Sequence, residues 1–508
     1  MKPQPLILSL AAPLAAGTAC PPRWTIGQTV PTTSGPVHGH AATNATKVSE
    51  YLGIPYAMPP IGKLRFQAPV RYKGTEDISG DRFGFGCVPS GITDNDSEIP
   101  EELIKKFGIT PVGVKFLTEI MNAGIPVSED CLTLNIWTKP QVGERKKAVL
   151  VWIHGGSFVV GSSALPSYNG QHIADQENIV LVSINYRLSI FGFPGDPMGN
   201  ANPGLLDQRL AIEWIRDNIA SFGGDPNRIT IFGQSAGGVS VDDYSYAFPS
   251  DPIVNGLISQ SGTSTGLGLR TEAQAQEFWF NSSKALGCGD AKSSPQAVHD
   301  CMLTKPASEI VNHLSKIVNG AILISYSPTV DNKVVFANYT GRKAASLPML
   351  IGNTDFEGGL FQLFSQEPVP DGFWKNNSQT LFGCPAALRA KESVRQGNPT
   401  WRYRYFAEFP NMQLSTHPSS GAYHESEVRQ LFDTVDESTI RSTAREKALA
   451  KYMRGAWAAF AKDPKKGLLR YRDGWPMYKP NERTLVRLGL NNAVGAHASF
   501  DKMYDLDC

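Results

Sequence analysis

Four short apolar runs rich in β-branched residues recur along this chain: AVLVWI at 148–153, IVLVSI at 179–184, RITIF at 228–232 and PMLI at 348–351. Such runs suit strands buried on both faces, the condition of strands inside a parallel sheet. Between the second and third lies LLDQRLAIEWIRDNIASF, in which Leu206, Leu210, Trp214, Ile215 and Ile219 fall on one helical face. Strand, helix and strand at this spacing predict an α/β fold, a large and mostly parallel central sheet wrapped by helices. Near the end, Leu449, Tyr452, Met453, Trp457 and Phe460 line up on a long helix expected to pack on that sheet.

No repeat, low-complexity linker or charge block divides the 508 residues, so they read as one catalytic domain from about residue 20 to 508 with insertions. A chain 41% hydrophobic and 19% charged with a net charge of +1 is an ordinary folded enzyme rather than a disordered polyelectrolyte. Without a basic stripe or zinc-spaced cysteines, neither nucleic acid nor a structural metal is expected as a partner. Lys2 followed by LILSLAAPLAAGTA, ending in small residues before Cys20, has the form of a signal peptide over residues 1–19, cleaved near Gly17 to Ala19. No later run is long and apolar enough to span a bilayer, and the ending FDKMYDLDC is too polar for a lipid-anchor signal. The expectation is a secreted protein without a stable membrane anchor.

Sequons at Asn44, Asn95, Asn281, Asn338 and Asn376 agree with export as glycosylation sites. The seven cysteines, Cys20, Cys87, Cys131, Cys288, Cys301, Cys384 and Cys508, contain no CxxC and read as disulfides with one left over, Cys20 beside the cleavage site.

The run ITIFGQSAGG ends a strand with Gly233, Gln234, Ser235, Ala236 and Gly237, a GxSxG pattern followed by another glycine. A sharp strand-to-helix turn uses glycines where its backbone crowds neighbouring elements, and it lifts a serine hydroxyl out of the sheet. A serine hydroxyl needs a base, and the base needs a carboxylate to hold its tautomer, in the chain order serine, acid, histidine. PMLIGNTDFEGG offers Asp355 and Glu357 after a strand. Of the five histidines that follow Ser235, His424 in GAYHESEV and His417 are placed for a loop at the sheet's end, after the alternating strand WRYRYFAEF. AVLVWIHGGSF offers a glycine-rich turn after an earlier strand, with N–H groups free to form an oxyanion hole.

At this point the sequence resembles the type-B carboxylesterase and lipase family, which also holds the cholinesterases, and most of all its secreted fungal carboxylesterases. FGGDPNRITIFGQSAGG at 222–238 is similar to the family's active-site signature and EDCLTLNI at 129–136 to its second one. YLGIPYAMPPIGKLRF, NYRLSIFGF, NPGLLDQRLAIEWI and LISQSG follow its form and order over nearly the whole mature chain. The resemblance implies an α/β-hydrolase fold and a serine carboxylic ester hydrolase. Its catalytic residues would be Ser235, Glu357 (before Gly358, in place of Asp355) and His424 (in an HxxE segment, in place of His417). It implies an oxyanion hole of Gly156, Ser157 and Ala236, and disulfides Cys87–Cys131, Cys288–Cys301 and Cys384–Cys508. It also implies internal ion pairs Arg65–Glu129 and Arg187–Asp225. No step calls for a metal or organic cofactor, and the expected partner is a small-molecule ester.

Three departures from the family pattern bear on function. Gln234 stands where the family usually has Glu, removing a buried charge beneath the site. Ser157 replaces the third glycine of the oxyanion run, leaving less room for bulky alcohols. No tryptophan lies between Cys87 and Cys131, where cholinesterases bind choline's ammonium group, so a choline ester is not expected. The same loop carries Leu103, Ile104, Phe107, Phe116, Leu117, Ile120 and Met121 on amphipathic faces. One alternative is therefore a lipase or sterol esterase whose lid opens at a lipid surface; the other is a loop that packs its apolar side on the body. Two further rivals are an acyltransferase or cyclase of secondary metabolism, and a non-enzymatic adhesion protein, which an intact triad speaks against.

Overall fold

The structure, a computed structural model, describes residues 24–90, 99–121, 124–140, 146–266, 268, 270–316, 326–365, 369–370, 372–506 and 508. The candidate signal segment, Cys20 and Asn95 lie outside these residues. Eleven strands form the main sheet: β1 (His40–Ala41), β2 (Ser49–Pro55), β3 (Thr133–Thr138), β4 (Lys147–Ile153), β5 (Val180–Ile184), β6 (Gly224–Gln234), β7 (Gly256–Gln260), β8 (Met349–Thr354), β9 (Thr400–Tyr405), β10 (Arg483–Leu488) and β11 (His497–Phe500). Their order in space is β11-β10-β9-β8-β7-β6-β4-β5-β3-β2-β1. From β5 through to β10 every pairing is parallel, and the outer pairings are antiparallel.

Every residue of β4, β5, β7 and β8 is buried, as continuous apolar runs require when helices cover both faces. The helix after β5, Pro203–Asn218, buries Leu210, Trp214 and Ile215 together with Leu205, Ala211 and Ile212, while Leu206 stays partly exposed. The long helix Ala444–Lys462 starts on a capping box between Thr443 and Glu446 and buries Leu449, Tyr452, Met453, Trp457 and Phe460 against the other face.

All six residues of strand β9 are buried. Its arginines are taken up by ion pairs, Arg402 with Asp505 and Arg404 with Asp355. One expectation needs correction: Arg187 pairs with Asp207 rather than Asp225. Arg187 Nε and Nη2 donate to the Asp207 carboxylate at 2.8 and 2.7 Å, both side chains being buried. Asp225, near the start of β6, instead accepts from the Asn227 backbone N–H at 3.0 Å. Arg65–Glu129 forms as expected, with Nη2 to Oε2 at 2.6 Å. All three disulfides, Cys87–Cys131, Cys288–Cys301 and Cys384–Cys508, are present.

Candidate active site

Strand β6 ends at Gln234, and the helix Ala236–Ala247 begins one residue after Ser235. Ser235 therefore carries the whole reversal, at φ 56° and ψ −124°, a backbone conformation that side-chain-bearing residues rarely adopt. The chain crowds β4 there, so the turn needs glycine: a Cβ on Gly237 would fall 2.0 Å from the Ile153 carbonyl oxygen. The outcome is a half-buried serine among fully buried neighbours, at the end of a central strand.

Glu357 follows β8 and His424 follows β9, and the structure brings the two together. The Glu357 carboxylate accepts from His424 Nδ1, and its other oxygen accepts from the Ser261 hydroxyl at 2.7 Å and the Thr354 N–H at 2.8 Å. Both residues are buried. Burial alone would lower the His424 pKa, but the adjoining Glu357 charge and hydrogen bond outweigh it and hold the pKa above the usual histidine value. The rings of Phe361 and Phe382 lie 5.0 and 4.8 Å from the imidazole. Nε2 of His424 faces the Gln234 amide, 3.1 Å from its nitrogen, and no hydrogen bond joins Ser235 to His424 among the described residues. Asp355 and His417, the other candidates, stand apart: Asp355 is bound by Arg404 at 2.8 Å, and exposed His417 meets the Thr416 hydroxyl.

The turn after β4 places Gly156 and Ser157 half-buried at φ 105° and 54°. A Cβ on Gly156 would meet the Val160 carbonyl oxygen at 2.2 Å, so only glycine fits there. The carbonyl of Gly156 accepts from Val159 and Val160, whereas the N–H groups of Gly156 and Ser157 find no acceptor among the described residues. Ala236 opens its helix, where the first N–H groups have no intrahelical partner. Three donors are thus left for an oxygen.

Sequence reading missed several residues that hold this arrangement. His154, directly beneath the glycine turn, is buried, stacks on Tyr186 at 4.5 Å and is pushed down to about 4, chiefly by burial, so it is neutral at physiological pH. Behind His424, buried Glu427 accepts from Gln260 at 3.0 Å, and Gln260 accepts in turn from the Trp457 indole at 3.0 Å. Burial raises the Glu427 carboxyl to about 7. The HxxE spacing was the only trace of this residue in the sequence.

A large parallel sheet, helices on both faces and a serine on a left-handed strand-to-helix turn define an α/β-hydrolase. The chain belongs to the carboxylesterase family, whose model matches residues 27–379 and 366–504, and it is a carboxylic ester hydrolase. It is 35% identical to a chlorogenic acid esterase of Aspergillus niger over 88% of this chain and 85% of that protein. It is 32% identical to secreted lipase 5 of Gibberella zeae, over 90% and 89%. It is also 32% identical to acetylcholinesterase of Electrophorus electricus, over 69% and 54%.

Proposed function

We propose that this protein is a secreted serine carboxylesterase, one catalytic domain from about residue 20 onward, that works through an acyl-enzyme on Ser235. The observation that carries the reading is the buried Glu357–His424 hydrogen bond, made by residues that follow β8 and β9 in the same parallel sheet whose β6 ends at the Ser235 turn. With Nδ1–H donated to Glu357, Nε2 keeps a lone pair that can take the Ser235 proton as Oγ attacks the ester carbonyl. Gly156, Ser157 and Ala236 hold the oxyanion. His424 then returns the proton to the leaving alkoxide, and activates a water that releases the acid and frees Ser235. Secretion draws support from three disulfides, from the signal-like leader, and from a relative named as a secreted lipase. Asn44, Asn281, Asn338 and Asn376 are exposed and available for glycosylation. Among the described residues no helix is long and apolar enough to cross a membrane.

The substrate is a small-molecule ester rather than a lipid taken at an interface. In the Cys87–Cys131 loop, helices Glu101–Phe107 and Pro111–Ile120 bury Phe107, Phe116 and Leu117 against Leu360, Leu363, Leu414 and Tyr423. Esters of graded acyl length, assayed with wild type and Ser235→Ala, test the proposal: the variant is expected to lose at least about 10³-fold in kcat, and undiminished turnover would overturn the mechanism. Product analysis with added alcohols distinguishes water from another acyl acceptor.

A further inference from the structure

Several side-chain-bearing residues with a left-handed backbone stand at the site. Ser157 belongs to the oxyanion turn, Ser235 carries the strand-to-helix reversal and Ser261 donates to Glu357, at φ 54°, 56° and 48°. Glu425, the residue after His424, stands at φ 80°. His424 and Glu425 are the two central residues of a turn closed by the Ser426 N–H on the Tyr423 carbonyl at 3.0 Å, and a positive φ at the second of them is the type II form, where glycine is preferred. Glutamate holds that place at a cost in backbone energy, and such strain persists only where surrounding contacts impose it.

The contact that meets the Glu425 side chain is Tyr168. Its hydroxyl donates to Glu425 Oε1 at 2.7 Å, both side chains being buried. Tyr168 is itself held by its surroundings. Its ring packs on Trp152 at 5.1 Å and on Phe432 at 6.1 Å. The adjoining Ser167 accepts from Arg429 Nε at 3.0 Å through its hydroxyl and from the Thr434 hydroxyl at 2.9 Å through its carbonyl. Trp152 lies in β4, which leads into the Gly156–Ser157 turn, and Arg429 and Phe432 lie in the helix Val428–Phe432 that follows His424. One hydrogen bond between two anchored side chains, 257 positions apart in the chain, therefore ties the His424 turn to the segment that runs on from the oxyanion turn. Glu357, Phe361 and Phe382, which also hold the imidazole, all come from residues 357–382, and none of them belongs to the oxyanion segment.

We propose that Glu425 is a positioning residue: through Tyr168 it holds the His424 turn in one place relative to the oxyanion donors, so that the imidazole serves both proton transfers of the ester reaction from a single position. This rests on the proposed roles of Ser235 and His424 and deepens them. The test is steady-state hydrolysis of p-nitrophenyl acetate by four variants, with Tm measured on each. Tyr168→Phe keeps the ring and removes the bond, and Glu425→Ala removes the acceptor. Each is expected to lower kcat about tenfold or more with KM within about threefold of wild type, since a small misplacement of a base is costly to the rate. Glu425→Gln keeps an acceptor for the phenol and is expected to retain kcat within about threefold. Glu425→Gly suits the left-handed backbone better than alanine does, so its Tm should exceed that of Glu425→Ala while its kcat stays as low. A smaller kcat loss in Tyr168→Phe or in Glu425→Ala, a loss carried by KM alone, or an equal kcat loss in Glu425→Gln overturns the proposal. So does a rate restored by glycine, which would show that only the backbone shape of the turn matters. Turnover that survives Ser235→Ala would instead sink the serine mechanism, so the two failures are distinct.

Discussion

The side-chain amide of Gln234 stands 3.1 Å from Nε2 of His424, on the nitrogen that a serine proton would have to reach. An amide N–H can donate to a neutral imidazole; a carboxylate in its place cannot, and would stabilise the imidazolium instead. In Gln234→Glu the acid limb of the kcat/KM profile is therefore expected to move to higher pH by about one pH unit or more. Activity well above that limb should stay within severalfold, because Ser235, the proposed nucleophile, is unchanged. A limb that does not move would show that position 234 is electrically remote from the base.

Glu357 acts on the same imidazole from its other side, with the opposite consequence when removed. Burial by itself lowers the His424 pKa, and the Glu357 carboxylate reverses this to a net rise. In the proposed mechanism the base works neutral, so activity falls as pH drops through the raised pKa. The pair's contribution to stability is fully present below the ordinary histidine value near 6.5 and is lost as pH rises through the raised one. Glu357→Gln is expected to shift the acid limb to lower pH, lower kcat by on the order of 10⁴, and reduce Tm more at pH 6 than at pH 9. Rate profiles and thermal unfolding at the two pH values check both parts.

The sheet was legible because its strands are continuous apolar runs, and the Ser235 turn because its backbone needs Gly237 in contact with Ile153. The residues that tune the site left weaker traces. Ser261 meets Glu357 across 96 positions and Gln260 meets Glu427 across 167, and nothing local in the sequence encodes such contacts. The arginines of strand β9 leave no local trace of their partners for a related reason: the acids that neutralise them, Asp505 for Arg402 and Asp355 for Arg404, arrive from elsewhere in the chain. His154 went unnoticed because a lone histidine after a strand carries no pattern.

The Arg187–Asp207 pair sets a stability test that separates the observed partner from the expected one. Asp207 also accepts the Arg187 backbone N–H at 3.0 Å, so it holds both the side chain and the turn after β5. Asp207→Ala leaves a buried guanidinium uncompensated and is expected to cost about 3–5 kcal/mol. Asp225→Ala, which removes a capping contact to Asn227, should stay within about 1 kcal/mol. Urea unfolding of the two variants decides between them; a larger loss at Asp225 would reassign the pair.

The Cys87–Cys131 loop is fastened to the body by polar contacts as well as apolar ones, and this bears on its behaviour at a lipid surface. Thr110 donates from its N–H to the Leu414 carbonyl at 2.9 Å and from its hydroxyl to Gln413 at 2.5 Å. Glu119 pairs with buried Arg429 at 2.6 Å and also accepts the Ser167 N–H at 2.8 Å, while Lys115 reaches Asp436 at 2.9 Å. Opening such a loop would expose Phe107, Phe116 and Leu117 and strand Arg429 as an unpaired cation, which opposes movement by several kcal/mol in total. Hydrolysis of tributyrin is therefore expected to rise smoothly with concentration, without a jump above its solubility limit. Glu119→Ala, which cuts the main ionic tie, should lower Tm and introduce such a jump if the loop can act as a lid once freed. A jump already present in wild type would mean that the loop opens despite these ties, and would return the enzyme to the lid-gated lipases.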